Sequence, residues 1–112
     1  MKKDINKNVD ERIKCHVEVA MDSIAGKWKI LILWYLKDEK KRFSQLQKSI
    51  YGITQKMLIQ KLRELESDGI VHREVYPVVP PKVEYSLSTY GKTLKPILMQ
   101  LYFWGEEHNK RQ

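Results

Sequence analysis

The side chains with the clearest chemical use lie on one side of an amphipathic segment, residues 54–67. At about 100° per residue, one narrow sector of a helix there collects the leucines Leu58, Leu62 and Leu65. The opposite side collects the polar residues Lys56, Gln60, Arg63 and Ser67. Arginine can pair bidentately with guanine and glutamine with adenine, and lysine can bind phosphate or guanine. The spacing therefore predicts a helix that rests on a core through its leucines and presents base-reading groups to a nucleic acid.

The beginning of this helix predicts a second kind of contact. Thr54 is a favourable N-cap residue, and Gln55 follows it in the first turn. Unpaired backbone N–H groups and the helix dipole favour an anion, such as a phosphate, at this end. Thr54 and Gln55 are therefore candidate DNA-binding residues, together with Lys61 from the middle of the same helix.

A shorter helix and a tight turn precede this segment, in the order of a helix-turn-helix unit. Apolar residues at spacings of three and four predict the shorter helix over 43–50. Residues 51–53 then form a turn with the glycine that such connections often contain. Ser44, at the start of the shorter helix, is a further candidate DNA contact.

Two strands are predicted after the long helix, at 71–76 and 83–87. Alternation in the second strand predicts one apolar and one polar face. The connecting loop, 77–81, contains three of the four prolines of the chain, and their fixed φ angles make it a stiff projecting wing. Arg73 and Lys82 flank this loop and are candidate phosphate contacts. A plain hairpin whose edge is protected by the same prolines is the alternative.

The C-terminal segment predicts a long helix from Ser88 or Thr89 to Glu107. Pro96 lies inside this range, so we expect a kink or a loosened turn there. The apolar face of the helix is wider than one small domain needs. We therefore expect it to form a dimer interface, and burial within the monomer is the alternative.

Length and composition predict one domain over residues 1–112, with 1–14 as a flexible N-terminal arm. Two further short helices are expected at 17–25 and 27–36. Together these elements predict a mostly helical α+β fold. It is a winged helix-turn-helix with a two-stranded β-wing and a long C-terminal dimerisation helix.

The charge of the chain favours a polyanionic partner. The net charge is +7, and residues 37–63 hold eight lysines and arginines against two acidic residues. The positive excess is therefore concentrated around the two helices of the helix-turn-helix unit, as expected for binding to double-stranded DNA. A basic surface that serves only solubility is the alternative.

The apolar segments are too short for a membrane protein. The longest uninterrupted apolar run, 30–36, has seven residues, far fewer than a bilayer-spanning helix needs. The charged N-terminus has no apolar segment behind it and so does not match a signal peptide. We expect a cytoplasmic protein without a membrane partner.

The single cysteine, Cys15, is a candidate thiol sensor. One cysteine cannot form an internal disulfide, and its isolation fits a reducing compartment. Lys14 and His16 flank it, and cationic neighbours favour the reactive thiolate. A regulatory thiol, a disulfide between subunits and an inert thiol all remain open.

Several short motifs follow one another in a fixed order from Cys15 to Trp104. They are Gly26-Lys27-Trp28-Lys29, Arg42-Phe43-Ser44-Gln45-Leu46, Ile53-Thr54-Gln55-Lys56-Met57-Leu58, Leu62-Arg63-Glu64-Leu65-Glu66-Ser67-Asp68-Gly69-Ile70-Val71 and Tyr76-Pro77-Val78-Val79-Pro80-Pro81-Lys82-Val83-Glu84-Tyr85. Through these motifs the chain resembles the HxlR-type transcriptional regulators, which are winged helix-turn-helix proteins similar in architecture to MarR repressors.

The resemblance implies a homodimer that binds a pseudo-palindromic operator. It implies that the fourth helix enters the major groove, that the wing contacts the adjacent backbone or minor groove, and that the first and last helices form most of the dimer contact. Some family members sense oxidants or electrophiles through a cysteine just before the first helix, and Cys15 occupies that position. His16 follows it where the family often has proline.

The leading hypothesis is a sequence-specific DNA-binding transcriptional regulator that acts as a repressor. The alternative is a protein–protein interaction module that uses the aromatic C-terminal helix on the same scaffold. An enzyme is disfavoured, because His16, His72 and His108 are far apart in sequence and no motif joins them to a nucleophile. No glycine-rich phosphate loop or metal-ligand cluster is present in the sequence, so no cofactor or metal is expected, and the effector is unknown.

Overall fold

The computed structural model describes residues 14–112, so the expected arm at 1–14 lies, except for Lys14, outside the described residues. The elements follow in the order α1 (His16–Ile24), α2 (Lys27–Leu36), α3 (Phe43–Ser49), α4 (Gln55–Ser67), β1 (Val71–Tyr76), β2 (Lys82–Leu87), a 3-10 helix (Gly91–Leu94) and α5 (Lys95–Lys110). This order confirms the predicted mostly helical α+β fold with a helix-turn-helix unit and a wing.

One hydrophobic core is centred on α2, α3 and α4 and also receives side chains from α1, the wing and α5. Its largest fully buried side chains are Ile32, Leu33, Leu36, Leu46, Ile50, Leu58, Leu62, Leu65 and Leu98. Each such side chain contributes about 1.5–3 kcal/mol when it leaves water. The leucine repeat of α4 therefore attaches this helix firmly to α2, as its spacing predicts.

The turn between α3 and α4 depends on two residues. Gly52 has a φ of 85°, a left-handed conformation that strains residues with a Cβ. Thr54 then caps α4, since its Oγ1 accepts a hydrogen bond from the backbone N–H of Met57 at 3.1 Å. Both predictions for this connection, the glycine turn and the threonine N-cap, are confirmed.

The wing is an antiparallel pair of strands in which Val71 pairs with Leu87 and Tyr76 pairs with Lys82. A third segment joins it, because Lys41 and Tyr85 exchange two backbone hydrogen bonds of 2.9 and 2.8 Å. The regular register keeps the alternation predicted for β2, with residues 83, 85 and 87 on one face, although residues 82 to 86 are all partly buried. The loop before α3 therefore pairs with one edge of the wing, along β2.

The C-terminal helix begins at Lys95, later than predicted, after the 3-10 helix Gly91–Leu94. The side chain of any other residue at Gly91 would overlap the carbonyl oxygen of Ile70, so this turn packs directly on the chain before β1. Pro96 lies in the first turn of α5, where its missing N–H is not needed. The range predicted as one helix with a kink or a loosened turn is thus two elements, and Pro96 lies at the start of the second rather than inside a continuous helix.

The apolar face of α5 is mostly exposed within the single chain. Leu98 is the one buried residue of this helix. Tyr102 stacks on Trp34 of α2, with ring centroids 5.1 Å apart. The side chains that remain about half exposed or more are Ile97, Leu101, Tyr102, Phe103 and Trp104. No helix within residues 14–112 is long and apolar enough to cross a bilayer.

Candidate nucleic-acid interface

The outer face of α4 presents polar side chains to solvent. Lys56, Gln60 and Arg63 are exposed, and Ser67 continues the same side one turn further on. An open groove of about 600 Å³ runs along this face, lined by Gln55, Lys56, Ile59, Gln60, Arg63 and Glu64. The three leucines opposite are buried, so the helix cannot turn this face away without leaving the core. Four predicted site residues, Gln55, Lys56, Gln60 and Arg63, are thus brought together.

The cationic side chains predicted to contact DNA differ in whether an acidic residue of the same chain already pairs with them. Lys56, Arg63 and Arg73 form no ion pair with any residue between 14 and 112. The ammonium of Lys61 lies 3.6 Å from Glu64, and that of Lys82 lies 3.8 Å from Glu84. An unpaired cation can bind a phosphate without losing a protein partner. Lys56, Arg63 and Arg73 are therefore better placed than Lys61 and Lys82 to contribute affinity.

The N-terminal end of α4 is also open. Thr54, Gln55 and Ser44 of α3 are exposed, as phosphate contacts require. The capping bond uses a lone pair of the Thr54 oxygen and leaves its hydrogen free to donate. Tyr51, in the turn just before Thr54, is 95 % exposed and is a candidate contact that the sequence reasoning missed. Its position in the helix-turn-helix turn is the signal that could have identified it.

The half of the wing nearest its loop is held by a polar cluster. The Tyr76 hydroxyl lies 2.9 Å from a carboxylate oxygen of Glu84 and 3.1 Å from one of Glu74, and it accepts a hydrogen bond from Lys40 at 3.1 Å. Glu74 and Glu84 oppose each other in register. The hydrogen bond from Tyr76, helped by the charges of Lys82 and Lys40, lowers the pKa of Glu84. The cluster ties the wing to the loop before α3.

The sequence of the chain also matches a known protein family. Residues 23–112 match the model of the HxlR-like helix-turn-helix family. The chain belongs to the HxlR family. It is 50 % identical over 107 residues to the HTH-type transcriptional regulator YdeP of Bacillus subtilis strain 168, a match that covers 96 % of this chain and 84 % of that protein.

Solved structures of transcriptional regulators also resemble this chain in sequence and in fold. The redox regulator HypR in its oxidised form is 55 % identical and superposes with a TM-score of 0.80, covering 83 % of this chain and 96 % of that one. HypR in its reduced form is 53 % identical with a TM-score of 0.82, covering 85 % and 94 %. The HxlR-family chain is thus a helix-turn-helix transcriptional regulator, which confirms the predicted function class and DNA as its partner.

The thiol of this HxlR-family chain lies at a helix N-terminus. Cys15 is exposed and is the N-cap residue of α1, with its backbone N–H donating to Glu18 at 3.0 Å. The ammonium of its neighbour Lys14 pairs with Asp22. His16, the next residue, lines an apolar groove of about 990 Å³ between α1, α2 and α5. The candidate sensor therefore lies next to a residue of the apolar groove, on an element other than α4.

Proposed function

We propose that this HxlR-family chain is a homodimeric repressor that binds a pseudo-palindromic operator in the cytoplasm. The observation that carries the proposal is the outer face of α4, where Lys56, Gln60 and Arg63 project from a helix anchored by buried leucines. A two-fold axis would place two such helices in successive major grooves, about 34 Å apart. A dimer bound across a promoter blocks access of the polymerase to it.

The proposed contacts divide into two kinds. Gln60, Arg63 and Gln55 read base edges, since their amide and guanidinium groups match adenine and guanine. Thr54, Lys56, Lys61 and Ser44 bind phosphates around the helix, and Arg73 and Lys82 do so from the wing. Phosphate contacts set register and affinity, and base contacts set specificity.

The exposed apolar surface supports the homodimer. Half or more of Val17, Met21, Ile97 and Leu101 is exposed within the single chain. A contiguous apolar patch of this kind marks a protein interface. Two copies that pair through α1 and α5 would cover it and would set the spacing of the two α4 helices.

The test is binding to the DNA upstream of the protein's own coding region, measured by fluorescence anisotropy against a random duplex of equal length. We expect a preference of at least about 1,000-fold for the specific duplex and a steep fall of affinity with salt. Equal affinity for both duplexes would contradict the proposed sequence-specific repressor.

We also propose that Cys15 makes the repressor responsive to oxidants. The exposed thiol at the start of α1 and the similarity to HypR, a redox regulator, support this role. Peroxide converts the thiol to a sulfenic acid and releases water, and condensation with a second thiol forms a disulfide and releases another water. In a dimer that second thiol is Cys15 of the other copy or a small cellular thiol.

Operator binding in the presence of hydrogen peroxide tests this role. We expect peroxide to weaken binding by the unaltered protein and to leave binding by Cys15→Ser unchanged. The same loss of binding in both proteins would show that Cys15 is not the sensor.

A further inference from the structure

A buried charge lies behind the DNA-facing helix. Lys29 of α2 is 8 % exposed and is the only charged side chain buried within residues 14–112. Its ammonium lies 3.0 Å from Oε1 of Glu64 on α4. A buried cation needs a counterion, because its desolvation is otherwise uncompensated. Glu64 is therefore held in one place by a residue of the neighbouring helix.

The second carboxylate oxygen of Glu64 holds a base-reading candidate. The amide nitrogen of Gln60, one turn earlier on α4, donates to Oε2 of Glu64 at 3.3 Å. The hydrogen bond from Lys29 lowers the pKa of Glu64, so this carboxylate is ionised at neutral pH. An ionised carboxylate only accepts hydrogen bonds, so the amide nitrogen of Gln60 must face it.

This arrangement leaves a defined set of hydrogen-bonding groups on the outer side of Gln60. The carbonyl oxygen and the second amide hydrogen remain for DNA, which makes one acceptor and one donor. Adenine offers the complementary donor and acceptor in the major groove, whereas guanine offers two acceptors there. A glutamine that could rotate its amide freely would distinguish these bases less well.

We infer that Glu64, anchored by buried Lys29, is a positioning residue that fixes the Gln60 amide for adenine in the operator. The inference rests on the proposed function, because it requires α4 to enter a major groove. The simpler alternative is a hydrogen-bonded pair at spacing i, i+4 that only stabilises the helix. That alternative predicts no change in base preference when Glu64 is replaced.

The experiment selects binding sites from a pool of duplexes with a randomised central segment, using the full-length chain. Gln60→Ala identifies the base pair that Gln60 reads, as the A·T position that disappears from the enriched motif. We expect Glu64→Ala to lower the preference for adenine over guanine at that position by about tenfold and to leave the other positions intact. Glu66→Ala, which removes an exposed carboxylate from the same helix, should leave the whole motif unchanged.

A second variant separates positioning from folding. Glu64→Ala leaves Lys29 buried without its counterion, so Lys29→Met combined with Glu64→Ala replaces the pair by apolar groups. We expect this double variant to fold and to show the same loss of adenine preference. Retention of that preference in the folded double variant would overturn the inference and leave the proposed function intact. If the unaltered protein enriches no motif, the proposed function fails and the inference fails with it.

Discussion

Helices α4 and α5 are both amphipathic, with 13 and 16 residues. The chain buries the apolar side of α4 but leaves most of the apolar side of α5 exposed. The apolar side of α4 is buried against α2, and its polar side faces solvent. In α5 most of the apolar side remains exposed, and Leu98 alone is buried. An amphipathic pattern therefore shows that a helix has a face to bury, but it does not show whether the same chain will cover that face.

The exposed sides of α4 and α5 also suit two different kinds of partner. The exposed groups of α4 are hydrogen-bonding and charged, which suits a hydrated polyanion. The exposed groups of α5 are aliphatic and aromatic, which suits a protein surface. The apolar groove, which His16 lines next to Cys15, lies between α1, α2 and α5 rather than along α4. In the proposed dimer, oxidation of the thiol would therefore change how two copies pair without altering the proposed base-reading side chains.

The largest expected effect comes from the buried side of α4. Leu62→Ala removes a 2 % exposed side chain and should lower the free energy of unfolding by about 2–5 kcal/mol, because it leaves a cavity in the core. Leu101→Ala, at a half-exposed position of α5, should cost the monomer less than about 1 kcal/mol. Urea unfolding at low protein concentration measures both. Equal losses would show that α5 is part of the monomer core.

The next effect concerns the outer side of α4. Lys56→Glu combined with Arg63→Glu should weaken operator binding by at least about 100-fold, because both cations become charges that repel phosphate. Lys92→Glu combined with Arg111→Glu makes the same charge change at exposed positions elsewhere and is the control. Intact DNA binding by the α4 variant would favour the alternative of a protein interaction module.

A smaller effect is expected from the exposed side of α5. Leu101→Asp places a charge in the proposed dimer interface and should raise the dimer dissociation constant by about tenfold or more. Sedimentation equilibrium measures this constant, with Gln100→Asp on the same helix as the control. If both variants dimerise like the unaltered protein, the apolar face of α5 has another partner.

The smallest expected effect is a pH dependence of the stability of the fold that comes from Glu84 in the wing. Because the folded pKa of Glu84 is lowered by Tyr76 and the neighbouring lysines, its ionised form stabilises the fold above the unfolded pKa near 4.5. That contribution is lost as the pH falls through the lower folded pKa. Glu84→Gln should therefore lose less stability than the unaltered protein on acidification below pH about 4.5. Thermal unfolding at a series of pH values measures this, and Glu66→Gln should behave like the unaltered protein.

Most of the site could be predicted because its signals are local. The Thr54 cap, the Gly52 turn and the two sides of α4 depend on residues within one or two helical turns of one another. The start of α5 could not be predicted from the sequence, because it depends on how the 3-10 helix packs against Ile70. Nor could the pairing of Lys29 with Glu64, since these residues are distant in sequence and meet only when α2 packs on α4.

The sequence by itself determined the family, the order of the elements and the face that α4 turns outward, because helical periodicity and short motifs are properties of neighbouring residues. Only the tertiary structure decided which cations are already paired, which apolar face stays exposed and what orients Gln60. Those properties depend on distances between side chains from different elements, and packing of the whole chain sets these distances.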